Sequence, residues 1–340
     1  MKRFRTGVTV GKFWPPHRGH HHLIHTASAQ CDRFSVIVAV HPDQDLPGEI
    51  RAACLREVHP EVEVIVVPDD VPDDSVAWAE NTCRVLGGRP DAVFTSEDYG
   101  EPWAAAMGAI HVSVDRARRT FPCSGRTIRA DPLGNFEYLT PFMRAVYVRR
   151  VAVLGAESTG TTTLARALAE YYRTAWVPEY GREYSEQKSR DGHVATWETG
   201  EFTAIAREQA RREDEAARSA DRILVCDTDV FATTLWHERY VGGRSPEVDA
   251  MAAIRRADLY LLTGDEIPFV QDGLRDGEHI RHRMHERFVE DLGLTGRNWR
   301  LLTGTPEERL AEAVRHVDAL LRAPVGPRTS TSPSSPRTPY

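Results

Sequence analysis

Short apolar runs alternate with stretches of helical spacing along the first half of the chain. Runs of this kind lie at residues 7–10, 34–40, 62–67 and 92–95. A helical pattern over residues 20–29 follows the first of them. Brief, nearly continuous apolar runs are typical of parallel strands that are buried on both faces. Because strands that alternate with helices form doubly wound sheets, the pattern predicts an α/β domain around a parallel sheet.

The same pattern starts again near residue 150. Further apolar runs lie at residues 150–154, 223–226 and 259–262. Residues 163–172 have helical spacing, so we expect a second doubly wound domain with its own parallel sheet. We place the domains at residues 1–148 and 149–322. Residues 323–340 are rich in Pro, Ser and Thr, which predicts a disordered tail.

Composition narrows the class of protein. The chain has 340 residues, enough for about two domains. Hydrophobic residues make up 41% and charged residues 27%, which excludes a collagen-like or wholly disordered chain. No apolar run reaches the ~18 residues that a membrane helix needs, and none resembles the core of a signal peptide. The net charge of -7 argues against a general nucleic-acid binder.

Cysteine and lysine usage add two constraints. The 5 cysteines include no CxxC pair, so we expect reduced thiols and a cytoplasmic protein. The lysines are Lys2, Lys12 and Lys188, and every other cationic side chain is an arginine. A lysine that is kept or missing at a motif position is therefore informative.

A loop rich in glycine, proline and histidine follows the first predicted strand and opens a helix. It reads GKFWPPHRGH over residues 11–20. Its glycines allow close backbone approach, and the helix N-terminus offers free N–H groups to an anion. With the charges of Lys12 and Arg18 and the imidazoles of His17 and His20, the loop is predicted to hold phosphate oxygens. The alternative is a metal site, although no cysteine or acidic partner is spaced with these histidines.

The string GKFxPxHxGH resembles the signature of the nucleotidyltransferase superfamily. The resemblance implies that a phosphate monoester oxygen attacks the α-phosphorus of ATP, with pyrophosphate leaving and no covalent enzyme intermediate. Catalysis would then rest on positioning and charge stabilisation. His17 and His20 would contact the ATP phosphates, with His20 nearest the α-phosphate, and Lys12 would hold other oxygens. The further nucleotide-binding residues implied in this loop are Gly11, Phe13 and Gly19.

The same superfamily carries a second element of the form SxTxxR near the end of the domain. Residues 123–129 read CSGRTIR, with Ser124 and Arg129 at the expected spacing. Arg126 occupies the usual threonine position, and Thr127 follows one step later. The resemblance implies that Ser124 and Arg129 hold phosphate oxygens. The alternative is a basic turn before a helix.

A second glycine loop, GAESTGTTT over residues 155–163, lies between a predicted strand and a predicted helix. It matches GxxxxGK[ST] except that Thr161 stands where lysine is usual. We predict a phosphate-cradling loop, and the alternative is a tight turn. Thr162 would ligate Mg²⁺, and the missing charge would come from Lys188 or a lid arginine unless this domain binds nucleotide weakly. The residues assigned to the nucleotide are Gly155, Glu157, Ser158, Thr159, Gly160, Thr161, Thr162 and Thr163.

Other segments of the second domain fit a kinase. Asp227 ends an apolar strand, as a residue that supports Mg²⁺ does. Glu179 follows a short strand at the sheet edge where ligands bind in doubly wound folds, so it is placed to accept a proton from a substrate hydroxyl. Arg275, Arg281 and Arg283 lie in a stretch that resembles a mobile lid. For each of these residues the alternative is a solvated charge.

A nucleotidyltransferase domain followed by a P-loop kinase resembles the NadR family, whose members couple nicotinamide mononucleotide adenylyltransferase to ribosylnicotinamide kinase. The strings TSEDYG at 95–100, PEYGREY at 178–184 and DTD at 227–229 also carry the resemblance. It implies a Rossmann-like HxGH domain, a P-loop kinase domain, and ATP and Mg²⁺ as cofactors. The kinase would phosphorylate the 5′ hydroxyl of nicotinamide riboside. The adenylyltransferase would then convert nicotinamide mononucleotide to NAD.

The resemblance also sets expectations for partners. Trp78 and Trp103 are candidates to stack on a nicotinamide ring, with core packing as the alternative. Some members begin with a DNA-binding helix-turn-helix, but the first motif here begins at Gly11, so we expect no DNA binding. A homo-oligomer is compatible with the sequence.

Three other readings stay open at this point. The P-loop domain is degenerate or regulatory beside a working adenylyltransferase, the chain is a non-catalytic binding module, or the first domain uses a different phosphate acceptor.

Overall fold

The computed structural model describes residues 2–190, 196–271 and 277–329. Of these described residues, those up to Val146 and those from Val325 form one compact unit, and those of Tyr147–Pro324 form the other. The Arg328 backbone N–H donates to the Val146 carbonyl oxygen at 2.9 Å, so this residue of the expected tail contacts the first unit. Residues 330–340 lie outside the described residues.

The first unit is built on a parallel sheet. Its strands are β1 (Phe4–Gly11), β2 (Cys31–Val40), β3 (Glu63–Pro68), β4 (Ala92–Thr95) and β5 (Ile110–Ser113). Its helices are α1 (Arg18–Ser28), α2 (Gly48–Val58), α3 (Ser75–Leu86), α4 (Gly100–Met107), α5 (Gly125–Ala130) and α6 (Pro141–Tyr147). The strand order is β3-β2-β1-β4-β5, and every pairing is parallel.

Both faces of this sheet are buried, as side-chain alternation along β2 illustrates. Val36 and Val38 pack into the core on one face, and Ile37 packs into the core on the other. Successive strand residues point to opposite faces, so a continuous apolar run fills two cores. Helices cover both faces, which places the loops and their polar residues at the ends of the strands.

The second unit repeats this architecture. Its strands are β6 (Arg149–Leu154), β7 (Trp176–Val177), β8 (Ile223–Asp227), β9 (Leu259–Thr263) and β10 (Trp299–Leu302). Its helices are α7 (Thr161–Tyr172), α8 (Tyr180–Arg190), α9 (Thr199–Ala217), α10 (Val230–Val241), α11 (Pro246–Ile254), α12 (Arg281–Leu294) and α13 (Pro306–Arg322). The strand order is β10-β9-β6-β8-β7, again parallel throughout.

The predicted fold class is confirmed: each domain is an α/β doubly wound parallel sheet. The apolar runs did not indicate β5, β7 and β10, although a short strand was expected just before Glu179. All three strands lie at a sheet edge and are short. β5 and β10 are also partly exposed, so they carry polar residues and no long apolar run. Among the described residues, no helix combines the length and the apolar character needed to cross a membrane.

Candidate nucleotide sites

The first candidate site lies at the carboxyl end of β1. This strand pairs with β2 on one side and β4 on the other, so the chain reverses its direction of winding here. Ligands bind at such switch points in open α/β sheets. A cavity of about 830 Å³ opens at this place. The sequence-assigned residues that line it are Gly11, Lys12, Phe13, His17, Gly19, His20, Ser124 and Arg129.

The two histidines of the HxGH motif stack on each other at the start of α1. Their ring centroids are 3.7 Å apart, and the Phe13 ring packs edge-on against His20 at 4.9 Å. Burial, with a contribution from Arg118, lowers the pKa of His17 to about 4. Burial, with contributions from the neighbouring histidines and Arg118, also holds the pKa of His20 well below its usual value. Both rings are therefore neutral at pH 7, and each offers one N–H donor.

The second motif is tied to the first through Arg129. The Arg129 guanidinium lies 3.9 Å above the Trp14 ring and donates to the Trp14 carbonyl oxygen. Ser124 is the N-cap of α5 and accepts from the Thr127 N–H at 3.1 Å. A Cβ on Gly125 would lie 2.7 Å from the Trp14 carbonyl oxygen, so only glycine permits this close approach. Trp14 therefore fixes where the arginine enters the cavity.

Other residues predicted for this domain differ in their exposure and in whether they border the cavity. The Lys12 ammonium is 3.1 Å from the Asp69 carboxylate and its side chain is 60% exposed, so it is accessible to an anion. Trp78 and Trp103 both border the cavity, but Trp103 is only 1% exposed and belongs to the core. Arg126 is exposed and does not border the cavity.

The metal-site alternative receives no support from the histidine positions. His21 Nδ1 lies 3.0 Å from His59 Nε2 in a buried pair, whereas His25 is exposed. Burial and then His59 lower the pKa of His21 to about 3. Within the described residues, no group of three or more His, Cys, Asp or Glu side chains has an arrangement suited to a metal ion.

The second candidate site lies at the carboxyl end of β6, the central strand of the second sheet. A cavity of about 220 Å³ opens there. The sequence-assigned residues that line it are Gly155, Glu157, Ser158, Gly160, Thr161, Thr162, Thr163, Glu179 and Asp227. Thr159 is buried beneath the loop, where its hydroxyl donates to the Ala156 carbonyl oxygen at 2.7 Å and accepts from the Thr263 hydroxyl at 2.7 Å. Thr159 thus shapes the loop from outside the cavity.

The loop has the conformation of an anion cradle. Gly160 has φ +87° and Ser158 has φ +61°, and alternation of this kind turns successive backbone N–H groups inward. A Cβ on Gly155 would lie 2.2 Å from the Thr263 hydroxyl oxygen, so β6 can leave the sheet here only through glycine. α7 begins directly after Gly160 and adds its N-terminal N–H groups to the cradle.

Two carboxyl groups, those of Glu179 and Asp227, line the cavity beside this cradle. The Thr162 hydroxyl donates to the Asp227 carboxylate at 2.6 Å. Burial and the nearby Asp227 raise the pKa of Glu179 to about 8. Burial also raises the pKa of Asp227, while hydrogen bonds from Thr162 and Thr161 oppose the rise. Paired carboxyls with raised pKa values mark a site poised for proton transfer or for cation binding.

Glu157 lines the cavity, and its carboxylate also has two partners in neighbouring segments. Its carboxylate accepts from Arg239 at 2.7 Å and from the Gly277 N–H at 2.9 Å. An acidic side chain beside phosphates would be repelled by them, so its contacts are better understood as anchoring the loop to α10 and to the segment before α12.

The lid arginines also differ from expectation. Arg281 is buried, does not border the cavity, and donates to the Ser158 carbonyl oxygen at 3.1 Å and the Ile267 carbonyl oxygen at 2.8 Å. These two hydrogen bonds join the P-loop to the segment that follows β9, so Arg281 braces the loop from outside the cavity. Arg283 is exposed on α12. Arg275 lies outside the described residues.

Lys188 is likewise engaged away from the P-loop. Its ammonium lies 2.8 Å from both Glu201 carboxylate oxygens and 4.1 Å from the centre of the Trp197 ring. Its side chain is 9% exposed. Lys188 therefore holds α8 to α9 and does not replace the missing P-loop lysine.

An aromatic group next to the P-loop was not predicted from the sequence. Trp197, Phe202, Trp236 and Tyr240 all line the second cavity. The Trp197 and Tyr240 ring centroids are 5.5 Å apart. These residues come from α10, from α9 and from the chain just before α9, so no local spacing marks them. Aromatic residues are no more frequent in this domain than in the rest of the chain, so composition gave no signal either.

Two known protein families match separate parts of the chain. Residues 8–131 match the cytidylyltransferase-like family and residues 150–309 match the AAA domain family. The chain therefore joins a nucleotidyltransferase domain to a P-loop NTPase domain.

Two relatives of known function are similar to most of this chain. The trifunctional NAD biosynthesis/regulator protein NadR of Escherichia coli K12 is 30% identical over 312 residues, which cover 84% of this chain and 75% of that protein. The protein of the same description from Salmonella typhimurium LT2 is 29% identical over 313 residues, with the same coverage. The chain belongs to the NadR family. It is a transferase of NAD biosynthesis with an adenylyltransferase domain and a kinase domain, which confirms the predicted class of enzyme.

Solved structures agree with this fold over nearly the whole chain. A NadR protein in complex with NR has a TM-score of 0.77 at 21% identity, covering 94% of this chain and 97% of that one. A NadR protein in complex with NAD and AMP-PNP has a TM-score of 0.72 at 21% identity, covering 100% and 99%.

Proposed function

We propose that the first domain transfers the adenylyl group of ATP to nicotinamide mononucleotide, and that the second phosphorylates nicotinamide riboside with ATP. The proposal rests on one observation: the HxGH pair and the Thr162–Asp227–Glu179 group each border a cavity at the carboxyl end of a central strand in the same chain. The product of the second reaction is the substrate of the first. The chain would therefore carry both steps from the riboside to NAD.

The adenylyl transfer follows from the first cavity. The mononucleotide phosphate attacks the α-phosphorus of ATP, and pyrophosphate leaves. His17 and His20 donate N–H groups to the phosphate oxygens, with His20 nearest the reacting phosphorus, and Lys12, Ser124 and Arg129 hold the others. Neutral imidazoles suit this work because they donate while remaining uncharged in a buried place. Such donors stabilise the charge that develops in the transition state.

The phosphoryl transfer follows from the second cavity. The 5′ hydroxyl of the riboside attacks the γ-phosphorus of ATP, and ADP leaves as the bond between the γ-phosphorus and the β–γ bridging oxygen breaks. The Glu179 carboxylate accepts the hydroxyl proton. Thr162 and Asp227 present hard oxygen donors 2.6 Å apart at the end of the cradle, which fits Mg²⁺. When bound there, the ion would neutralise phosphate charge. The nicotinamide ring carries a positive charge, so the faces of Trp197 and Tyr240 suit it.

The cellular setting is part of the proposal. The five cysteines, all within the described residues, are free thiols. Thiols that stay reduced fit the cytoplasm, where ATP is also available.

A coupled assay tests the function directly. Purified chain with ATP and Mg²⁺ receives either the mononucleotide or the riboside, and NAD is measured. We expect NAD from both. If only the mononucleotide yields NAD, the adenylyltransferase assignment stands and the kinase assignment is refuted. If neither substrate yields NAD, both assignments are refuted.

Two variants separate the sites in this assay. Glu179→Gln should still convert the mononucleotide to NAD, but it should not phosphorylate the riboside. His20→Ala should convert the riboside to the mononucleotide and then lose adenylyl transfer by about 100- to 1000-fold, the usual cost of one preorganised donor.

A further inference from the structure

The kinase cavity lacks the charge that a P-loop normally brings to its phosphates. Thr161 begins α7 at the position of the usual lysine. Its hydroxyl is turned to Asp227, where it opposes the rise in the pKa of that carboxyl. The backbone cradle alone offers dipoles, whereas the γ-phosphoryl group gathers negative charge as it transfers. A cation from elsewhere in the domain is needed.

Two arginines near the P-loop already bind other groups of the protein and help to stabilise the fold. Arg309 is 4% exposed and donates to the Thr159 and Gly264 carbonyl oxygens beneath the loop. Arg239 is ion-paired with Glu157 at 2.7 Å. Moving either side chain to a phosphate would leave a buried carbonyl or carboxylate without its donor, which is unfavourable.

Arg182 has a different position. It is carried on the first turn of α8 and lines the cavity together with Thr161 and Glu179. Its side chain is 43% exposed, and its Nε lies 3.3 Å from the Glu186 carboxylate one turn further along the helix. Exposed pairs of this kind add little stability, so the guanidinium can exchange the Glu186 carboxylate for a phosphate.

The helix that carries Arg182 is held at the cavity. The Tyr180 N–H donates to the buried Gln209 side chain at 2.9 Å, and the Arg212 guanidinium lies 4.4 Å from the centre of the Tyr180 ring. The backbone of α8 is thereby fixed against α9. The Arg182 side chain lines the same cavity as Glu179, Asp227 and the P-loop, beside the place where the phosphoryl group would transfer.

We propose that Arg182 is a catalytic residue of the kinase site, whose guanidinium contacts the transferring phosphoryl group and supplies the charge that Thr161 does not. This inference rests on the proposed phosphorylation of nicotinamide riboside. Because Arg182 lines the cavity with Glu179, the proposed proton acceptor, its contact should strengthen as charge moves to the γ-phosphoryl oxygens. Removal should thus lower kcat more than it raises KM for ATP.

The chain offers a matched control on the same helix. Arg190 is 72% exposed, pairs with the same Glu186 carboxylate at 3.9 Å, and does not border the cavity. Arg182→Gln and Arg190→Gln therefore each remove an ion pair with Glu186, but only the first removes a charge from the cavity. Adenylyl transfer to the mononucleotide, measured on the same samples, reports that the protein is folded.

The test is a cycle of Thr161→Lys, Arg182→Gln and the double variant, assayed for phosphorylation of nicotinamide riboside. We expect Arg182→Gln to lower kcat by about 100- to 1000-fold and Arg190→Gln to change it less than twofold. The double variant should recover at least tenfold over Arg182→Gln, because the lysine restores the charge. An unchanged kcat in Arg182→Gln, or purely additive effects of the two substitutions, would overturn the inference.

A binding measurement separates this inference from the proposed substrate. Calorimetry with AMP-PNP, in the presence of saturating NAD to occupy the first cavity, reports the P-loop site alone. Arg182→Gln should weaken this binding roughly tenfold, the loss of one charge-assisted hydrogen bond, while Arg190→Gln should not. If the wild-type protein fails to phosphorylate the riboside, the proposed function is wrong. If AMP-PNP then binds equally well to wild type and Arg182→Gln, the inference is wrong as well.

Discussion

The raised pKa of Glu179 makes the kinase reaction depend on pH in a range where carboxyl groups do not normally titrate. Burial and Asp227 raise this pKa from 4.5 to about 8. The base form then makes up about a tenth of the free enzyme at pH 7 and about nine-tenths at pH 9. Since the carboxylate must accept the proton, the rate at low substrate should rise about tenfold between these values. A carboxyl with an ordinary pKa would give a flat profile.

The assay is phosphorylation of nicotinamide riboside at subsaturating ATP and riboside from pH 6 to 9.5. Adenylyl transfer on the same samples is the control, because it uses the same ATP and does not involve Glu179. Under saturating substrates the step should move to lower pH, because the positive nicotinamide ring and Mg²⁺ favour the carboxylate. A flat profile at low substrate, or a step that persists in Glu179→Gln, would refute the reasoning.

The same pKa has a consequence for stability. A carboxyl whose folded-state pKa is raised binds its proton more tightly in the folded state, so stability declines as the pH rises from 4.5 through about 8. Glu179→Gln removes this loss. The Tm of the variant should therefore exceed that of wild type at pH 9 and approach it at pH 5, which thermal unfolding at the two pH values measures. An unchanged Tm difference would contradict the burial of the charge.

Three further outcomes test other parts of the two sites. Trp197→Ala should raise KM for nicotinamide riboside about tenfold through loss of ring stacking, and an unchanged KM would remove Trp197 from the riboside site. Gly125→Ala should lower adenylyl transfer on the order of 100-fold, because its Cβ would meet the Trp14 carbonyl oxygen at 2.7 Å and displace the start of α5. Gly200→Ala, where a Cβ meets nothing within 4 Å, is the control and should leave both activities unchanged. With the pKa of His17 lowered to about 4, adenylyl transfer at low substrate should show no histidine step between pH 5.5 and 8, and a step near pH 6.5 would contradict neutral imidazoles.

The central strands could be predicted from the sequence because burial on both faces leaves a continuous apolar run. The edge strands β5 and β10 could not, since their exposed faces carry polar residues. The same reasoning applies to the sites. The residues of the HxGH motif and the P-loop are local in sequence, and their spacing sets which backbone groups and side chains can meet an anion.

Residues that meet only through tertiary folding escaped this reasoning. Trp197 and Tyr240 come from separate segments and share a cavity only because α9 and α10 pack together. The lid role expected of Arg281 failed for a similar reason, because its carbonyl partners Ser158 and Ile267 become neighbours only in the folded domain. The pKa of Glu179 depends on burial, which no spacing encodes.

In a chain with few lysines, both sites rely mainly on arginine to balance the negative charge of the phosphates. An ammonium is a point charge that can approach phosphate from many directions, whereas a guanidinium is a planar fork that must be aimed. In the first domain the Trp14 ring and its carbonyl oxygen aim Arg129. In the second, the anchored first turn of α8 aims Arg182. Replacing either arginine with lysine keeps the charge but should still lower the activity of that site. The neighbouring residues orient a planar guanidinium, and they cannot orient an ammonium in the same way.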